Sequence, residues 1–88
     1  MSDYEVTVYT REGCGPCRAT KAYLGKYGIR YNEVDGTNNS LVVDALIEQG
    51  HREFPVIEYN VIGYEFGSWS GHRADNLEAL KWLIQGDD

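Results

Sequence analysis

The chain has 88 residues, and its 14 Asp and Glu against 8 Lys and Arg leave a formal net charge of −6. That length suits one small domain with one core, and a 42% hydrophobic fraction with seven Tyr excludes a disordered chain. The acidic balance excludes a generic phosphate-backbone binder, so no nucleic-acid partner is expected; the charge fits solubility and the orientation of a partner protein.

The start, Met1-Ser2-Asp3-Tyr4-Glu5, has neither the basic nor the apolar region of a signal peptide. No apolar run approaches the ~18–20 residues that span a bilayer. These features predict a membrane-free, cytoplasmic protein, a monomer with one domain over residues 1–88. In the reducing cytosol a close cysteine pair is more often catalytic than structural.

Glu5 to Thr10 is rich in β-branched residues and reads as the first strand. The only two cysteines follow it, as Cys14-Gly15-Pro16-Cys17. A helix is predicted from Pro16 to about Lys26, because proline is tolerated in a first turn whose N–H groups have no intrahelical partner. Thiols at i and i+3 lie close enough to bond. The start of a helix also stabilises a thiolate, through unpaired N–H groups and the positive end of the dipole. A cysteine pKa there falls from about 8.5 toward about 7 or lower. One sulfur becomes a nucleophile near neutral pH, and the other stands ready to resolve what it attacks.

Three other readings compete. A structural staple over so short a loop contributes only about 2 kcal/mol by the loop-entropy relation. Half of a zinc site needs two more ligands; His51 and His72 are available, but their spacing matches no finger. A pair of inert buried thiols fits poorly with Gly and Pro between them. A CxxC that follows a strand and opens a helix favours redox chemistry.

In the helix, Ala19, Ala22, Tyr23 and Lys26 follow helical spacing with Leu24 and Tyr27 beside them, and Gly28 is placed to end it. Tyr31 to Asp35 reads as a second strand, and Gly36 to Ser40 as a turn rich in N-cap residues. Leu41 to Gln49 reads as a second helix with Val42, Ala45, Leu46 and Gln49 on one face, closed by Gly50. Pro55 to Tyr59 and Gly63 to Phe66 read as third and fourth strands, with the turn between Asn60 and Gly63. Asp75 and Glu78 have capping-box spacing for a last helix whose apolar face is Leu77, Leu80, Leu83 and Ile84, with Gly86 following.

The order is βαβαββα. A right-handed crossover makes the first two strands parallel, and the later hairpin adds an antiparallel pair. The expected fold is α/β, a mixed four-stranded sheet flanked by helices in the thioredoxin-like arrangement. Its first strand-to-helix turn carries the cysteine pair, outside the carboxyl end of a strand.

Three segments resemble a known family. Thr10-Arg11-Glu12-Gly13-Cys14-Gly15-Pro16-Cys17 resembles the active-site segment of the glutaredoxin and thioredoxin superfamily. Gly50-His51-Arg52-Glu53-Phe54-Pro55-Val56 resembles its cis-proline segment. Trp69-Ser70-Gly71-His72-Arg73-Ala74-Asp75 resembles the Trp-Ser-Gly-aromatic-Arg-Pro-Asp signature of NrdH-type redoxins. The resemblance runs from about Tyr4 to Ile84.

It implies Cys14 as attacking thiolate and Cys17 as resolving thiol, with Cys14 exposed and Cys17 more covered. It implies a cis peptide before Pro55, with Phe54 offering backbone groups to an extended substrate segment. A cis X-Pro bond is otherwise a minority state. Arg11, Gly15, Pro16, Trp69, Ser70, Gly71 and His72 would complete the substrate-binding surface, Trp69 forming an apolar docking patch with Phe54. No bound cofactor is implied. Electrons would come from NADPH through a flavin thioredoxin reductase and pass to a class Ib ribonucleotide reductase large subunit or other disulfide proteins.

The chain departs from the pattern in places. Gly15-Pro16 is the thioredoxin choice, which implies a reduction potential on the order of −270 mV. His72 replaces the aromatic of the signature and Ala74 its proline. The stretch from Val56 to Ser68 looks longer than in compact relatives, as an extended hairpin would be. No residue is placed by motif as the base for Cys17.

Several residues admit two readings. Arg11 either raises the local positive potential or is a solvated loop residue. Arg18 and Lys21 read as an exposed helix face. Trp69 reads either as docking surface or as core. Tyr64, Phe66 and Trp82 read as packing residues, and His51 and His72 as surface or capping groups. Two alternative functions stand beside the leading one. One is a glutathione-dependent dithiol glutaredoxin, although Ser70 to Asp75 lacks the Gly-Gly-x-x-Asp pattern. The other is a thioredoxin-fold metal or cluster module.

Overall fold

The computed structural model describes residues 3–86; Met1 and Ser2 of the acidic start, and Asp87 and Asp88, lie outside them. Its elements are β1 (Tyr4–Thr10), α1 (Gly15–Lys26), β2 (Asn32–Asp35), α2 (Ser40–Glu48), β3 (Val56–Val61), β4 (Glu65–Ser70) and α3 (Ala74–Gln85). They form one four-stranded sheet in the order β2-β1-β3-β4. β1 and β2 are parallel, while β3 runs antiparallel to both β1 and β4. The expected α/β thioredoxin-like fold is therefore present.

α1 and α3 share one face of this sheet. Val6, Val8, Ile57 and Val61 point from the strands into a cluster closed by Leu24, Leu77, Leu80 and Ile84. Removing such side chains from water is the main stabilising term. α2 lies on the other face, where Leu46 is buried beside Val56 and Phe54.

α1 ends in a Schellman arrangement. Gly28 takes a positive φ of 69°, which frees its N–H for Gly25 O (3.2 Å) and lets Ile29 N–H reach Leu24 O (2.9 Å). Ile29 and Leu24 are both buried, so the cap is locked by apolar contact. Gly50 ends α2 with the same bond pattern.

The structure corrects several sequence expectations. The inner face of α1 is Cys17, Thr20 and Leu24, whereas Ala19, Ala22 and Lys26 are exposed. On α2 only Leu46 is buried, and Ala45 and Gln49 face solvent because one helix covers only part of that sheet face. β2 starts at Asn32 rather than Tyr31. The fourth strand runs over Glu65–Ser70, not Gly63–Phe66; backbone pairing with β3 carries it through Gly67 and Ser68, which have no apolar pattern. Tyr64 and Phe66 (81% exposed) pack no core, and Trp82 is 47% exposed.

The capping box does not form. α3 begins at Ala74, with extended Arg73 as its N-cap and no side-chain cap. Asp75 therefore already stands in the first turn, where its carboxylate accepts from Asn76 N–H (3.0 Å) and complements the helix dipole.

Candidate functional site: the Cys14–Cys17 pair at one end of the sheet

Strand register gathers the site. Tyr9 pairs with Val56, and Val56 pairs with Ser70. Thr10, Pro55 and Gly71, each one residue further on, therefore meet at one end of the sheet. Gly36 joins them, its N–H donating to Thr10 O (2.8 Å). The cysteine loop leaves from that same end.

Cys14 is the N-cap of α1 in an extended conformation, and its Sγ accepts from Cys17 N–H at 3.2 Å. Gly15 and Pro16 occupy the first two helical positions, where a missing proline N–H costs nothing. Cys14 and Cys17 are joined as a disulfide, with Cα atoms 5.3 Å apart. Cys14 is only 5% exposed and Cys17 2%. The expected contrast in accessibility is thus small in the disulfide form, in which Cys14 Sγ is bonded to Cys17 Sγ and accepts from the Cys17 N–H of the first helical turn.

The Phe54–Pro55 peptide is cis. Gly36 lets the Phe54 ring sit close: a Cβ built there would lie 2.9 Å from Phe54 Cζ. On the other side Gly71, at φ 89°, donates its N–H to Pro55 O (2.7 Å). The Gly71 turn is held further by Trp69 Nε1 donating to Gly71 O (3.2 Å) and Arg73 Nε donating to Ser70 O (3.0 Å).

Phe54 and Trp69 do not form one patch. Phe54 is half-buried in a cavity with Val43, Leu46 and Ile47 on the α2 side. Trp69 is half-buried against the α1–α3 core, its ring 5.9 Å from that of Tyr59. They point to opposite faces because β4 alternates and Trp69 pairs with core residue Ile57. Ser70 ends β4, and His72 follows in the turn, bonded through Nδ1 to Thr20 Oγ1 (2.9 Å). Arg11 is exposed, with Nη1 donating to Glu12 O (3.4 Å). His51 Nε2 bonds Ser68 Oγ (3.1 Å), tying the segment before Pro55 to β4. Among the described residues no three His, Cys, Asp or Glu side chains converge as a metal site, and no helix is long and apolar enough to cross a membrane.

Lys21, read from the sequence as an exposed cation, is an ion-pair residue. Its Nζ lies 2.9 Å from Glu33 Oε2, which also accepts from Thr10 Oγ1 (3.3 Å). The network joins α1, β2 and the end of β1. The Lys21 hydrogen bond holds the Glu33 carboxyl below its ordinary range, with smaller help from the Lys21 charge and Thr10 and against some desolvation. A folded pKa below the unfolded value stabilises the native state above that unfolded value, and the gain is lost as pH falls through the folded pKa. Glu33→Gln is therefore expected to lower stability modestly at neutral pH and not at strongly acidic pH. Denaturant titrations of both proteins at the two pH values check this; a deficit that persists in acid would remove the ion pair as its cause. Sequence reasoning does not single out Thr20 or Glu33. Thr20 carries a signal, since it lies one turn after Cys17 on the face of Leu24.

Residues 6–61 match the glutaredoxin family model. The glutaredoxin-like protein NrdH of Salmonella typhimurium is 33% identical over 75 residues, 85% of this chain and 86% of that protein. The glutaredoxin-like protein NrdH of Lactococcus lactis subsp. cremoris is 32% identical, over 85% of this chain and 97% of its own length. The solved structure of NrdH-redoxin from Escherichia coli, described as having a thioredoxin-like activity profile, superimposes with a TM-score of 0.73 at 33% identity, covering 86% of this chain and 93% of that one. A paired dithiol on this fold, with relatives alike over most of their length, leads to one assignment: the chain belongs to the glutaredoxin family as an NrdH-type redoxin, a disulfide oxidoreductase.

Proposed function

We propose that the protein carries electrons from NADPH, through a flavin thioredoxin reductase, to a class Ib ribonucleotide reductase or other disulfide proteins. It works in the cytoplasm as a single-domain monomer and binds no cofactor of its own. The observation that carries this reading is the Cys17 N–H directed at Cys14 Sγ from the first turn of α1. The same donor stabilises the sulfur as a thiolate once the pair is reduced.

In the reduced protein the Cys14 thiolate attacks one sulfur of the partner disulfide. A mixed disulfide forms and the partner's second sulfur leaves as a thiolate. Cys17 then gives up its proton to solvent and attacks Cys14 Sγ. The intramolecular disulfide forms, the mixed one breaks, and the partner departs with both sulfurs reduced. Two electrons have moved from the redoxin to the partner. Thioredoxin reductase reverses the change in the redoxin.

Two coupled assays test the electron source. NADPH oxidation in the presence of a protein disulfide is expected with thioredoxin reductase as the only other enzyme. It is expected to be at least about tenfold slower with glutathione and glutathione reductase. The reverse order would support a glutathione-dependent glutaredoxin, the reading disfavoured by the Ser70-Gly71-His72-Arg73-Ala74-Asp75 sequence.

A further inference from the structure

We propose that His72 is a positioning residue for protein substrates, acting through Thr20 to hold the cis-proline wall beside the dithiol. This rests on the disulfide-reductase reading above.

Thr20 is fully buried, on the inner face of α1 one turn after Cys17. Its hydroxyl shares a 2.9 Å hydrogen bond with His72 Nδ1, across 52 residues of chain. A buried hydroxyl left without a partner costs about 1–3 kcal/mol, so the bond resists opening. His72 directly follows Gly71, whose N–H holds Pro55 O. A continuous path thus runs from α1, behind the cysteines, through Thr20, His72 and Gly71 to Pro55. Among the described residues, His72 is the one side chain of the turn at 71–73 that bonds a side chain of α1.

The cis-proline wall matters unequally to different substrates. A small disulfide needs only the Cys14 thiolate. An extended protein segment also needs the backbone of the cis-proline wall at a fixed distance from that thiolate. Loosening the path should therefore weaken protein substrates more than small ones.

Full-length protein, chemically reduced and freed of reductant, is mixed in single turnovers with insulin and with dithiodipyridine. The readout is the ratio of the two second-order rate constants. His72→Ala is expected to lower the insulin-to-dithiodipyridine ratio about fivefold, the worth of one net hydrogen bond. His72→Asn, whose amide places a hydrogen-bonding atom near the Nδ1 position, should restore it to within about twofold. Thr20→Val should lower the ratio as His72→Ala does, and the double variant should add little further. An unchanged ratio in His72→Ala, or no restoration by Asn, overturns the inference while leaving the proposed function intact. A wild-type protein inert toward both disulfides removes the proposed function and this inference with it.

Discussion

Cys14→Ser is expected to lower disulfide reduction by at least about a thousandfold, to the uncatalysed background, because a serine hydroxyl does not ionise near neutral pH and the nucleophile is gone. The fold should survive. Ser is among the best N-cap residues, and its oxygen can accept from Cys17 N–H in place of the sulfur. Relative to the oxidised protein the variant loses only the constraint of a short loop, about 2 kcal/mol. Rate measurements with a protein disulfide, alongside a circular dichroism spectrum and a denaturant titration, separate the two effects. Retained activity in a well-folded variant would overturn Cys14 as the attacking group.

Cys17→Ser should behave differently. The first attack needs only Cys14, so its rate is expected to stay within a few-fold of wild type. The second attack has no sulfur, so about one mixed disulfide per chain should accumulate and turnover should stop. The substitution buries a hydroxyl at a residue that is 2% exposed, at a cost of about 1–3 kcal/mol, below the ~5–15 kcal/mol by which folded domains are stable. Mass spectrometry of the reduced variant after mixing with a protein disulfide gives the adduct yield. Release of reduced partner at the normal rate, with no adduct, would rule out resolution by the second thiol. The trapped adduct also identifies the physiological partner when the variant is used for capture.

Short-range signals in the chain are legible. Gly28 and Gly50 stop their helices where expected, because a Schellman cap involves only neighbouring backbone groups and one apolar contact. The CxxC position is equally plain, since a strand followed by a proline-opened helix is a local pattern. The apolar stripe on α3 holds for Leu77, Leu80 and Ile84, with Leu83 half-buried. Where local signals compete, one misleads. Asp75 and Glu78 have capping spacing, yet the turn fixed by Gly71 and Arg73 starts the helix one residue ahead of Asp75.

Signals that depend on distant neighbours are not legible. Nothing within the Phe66 or Trp82 segments says that the sheet face or helix side they occupy stays uncovered. Trp69 admits both docking and core readings until pairing with Ile57 turns it inward beside Tyr59. Gly36 reads only as a turn glycine until Phe54, 18 positions later, is laid against it.

The chemistry is written in the order of residues alone: a sulfur pair one helical turn apart, at the mouth of a helix, on a βαβαββα chain. Sulfur reactivity, capping and strand or helix preference are set by neighbours within a few positions, which is why they can be read there. Three outcomes came from the folded molecule instead. Cys14 is covered in the disulfide form, Lys21 pairs with Glu33, and His72 reaches Thr20. They depend on strand register and on which helix covers which face, and both follow from burying the whole apolar set at once rather than from any one segment.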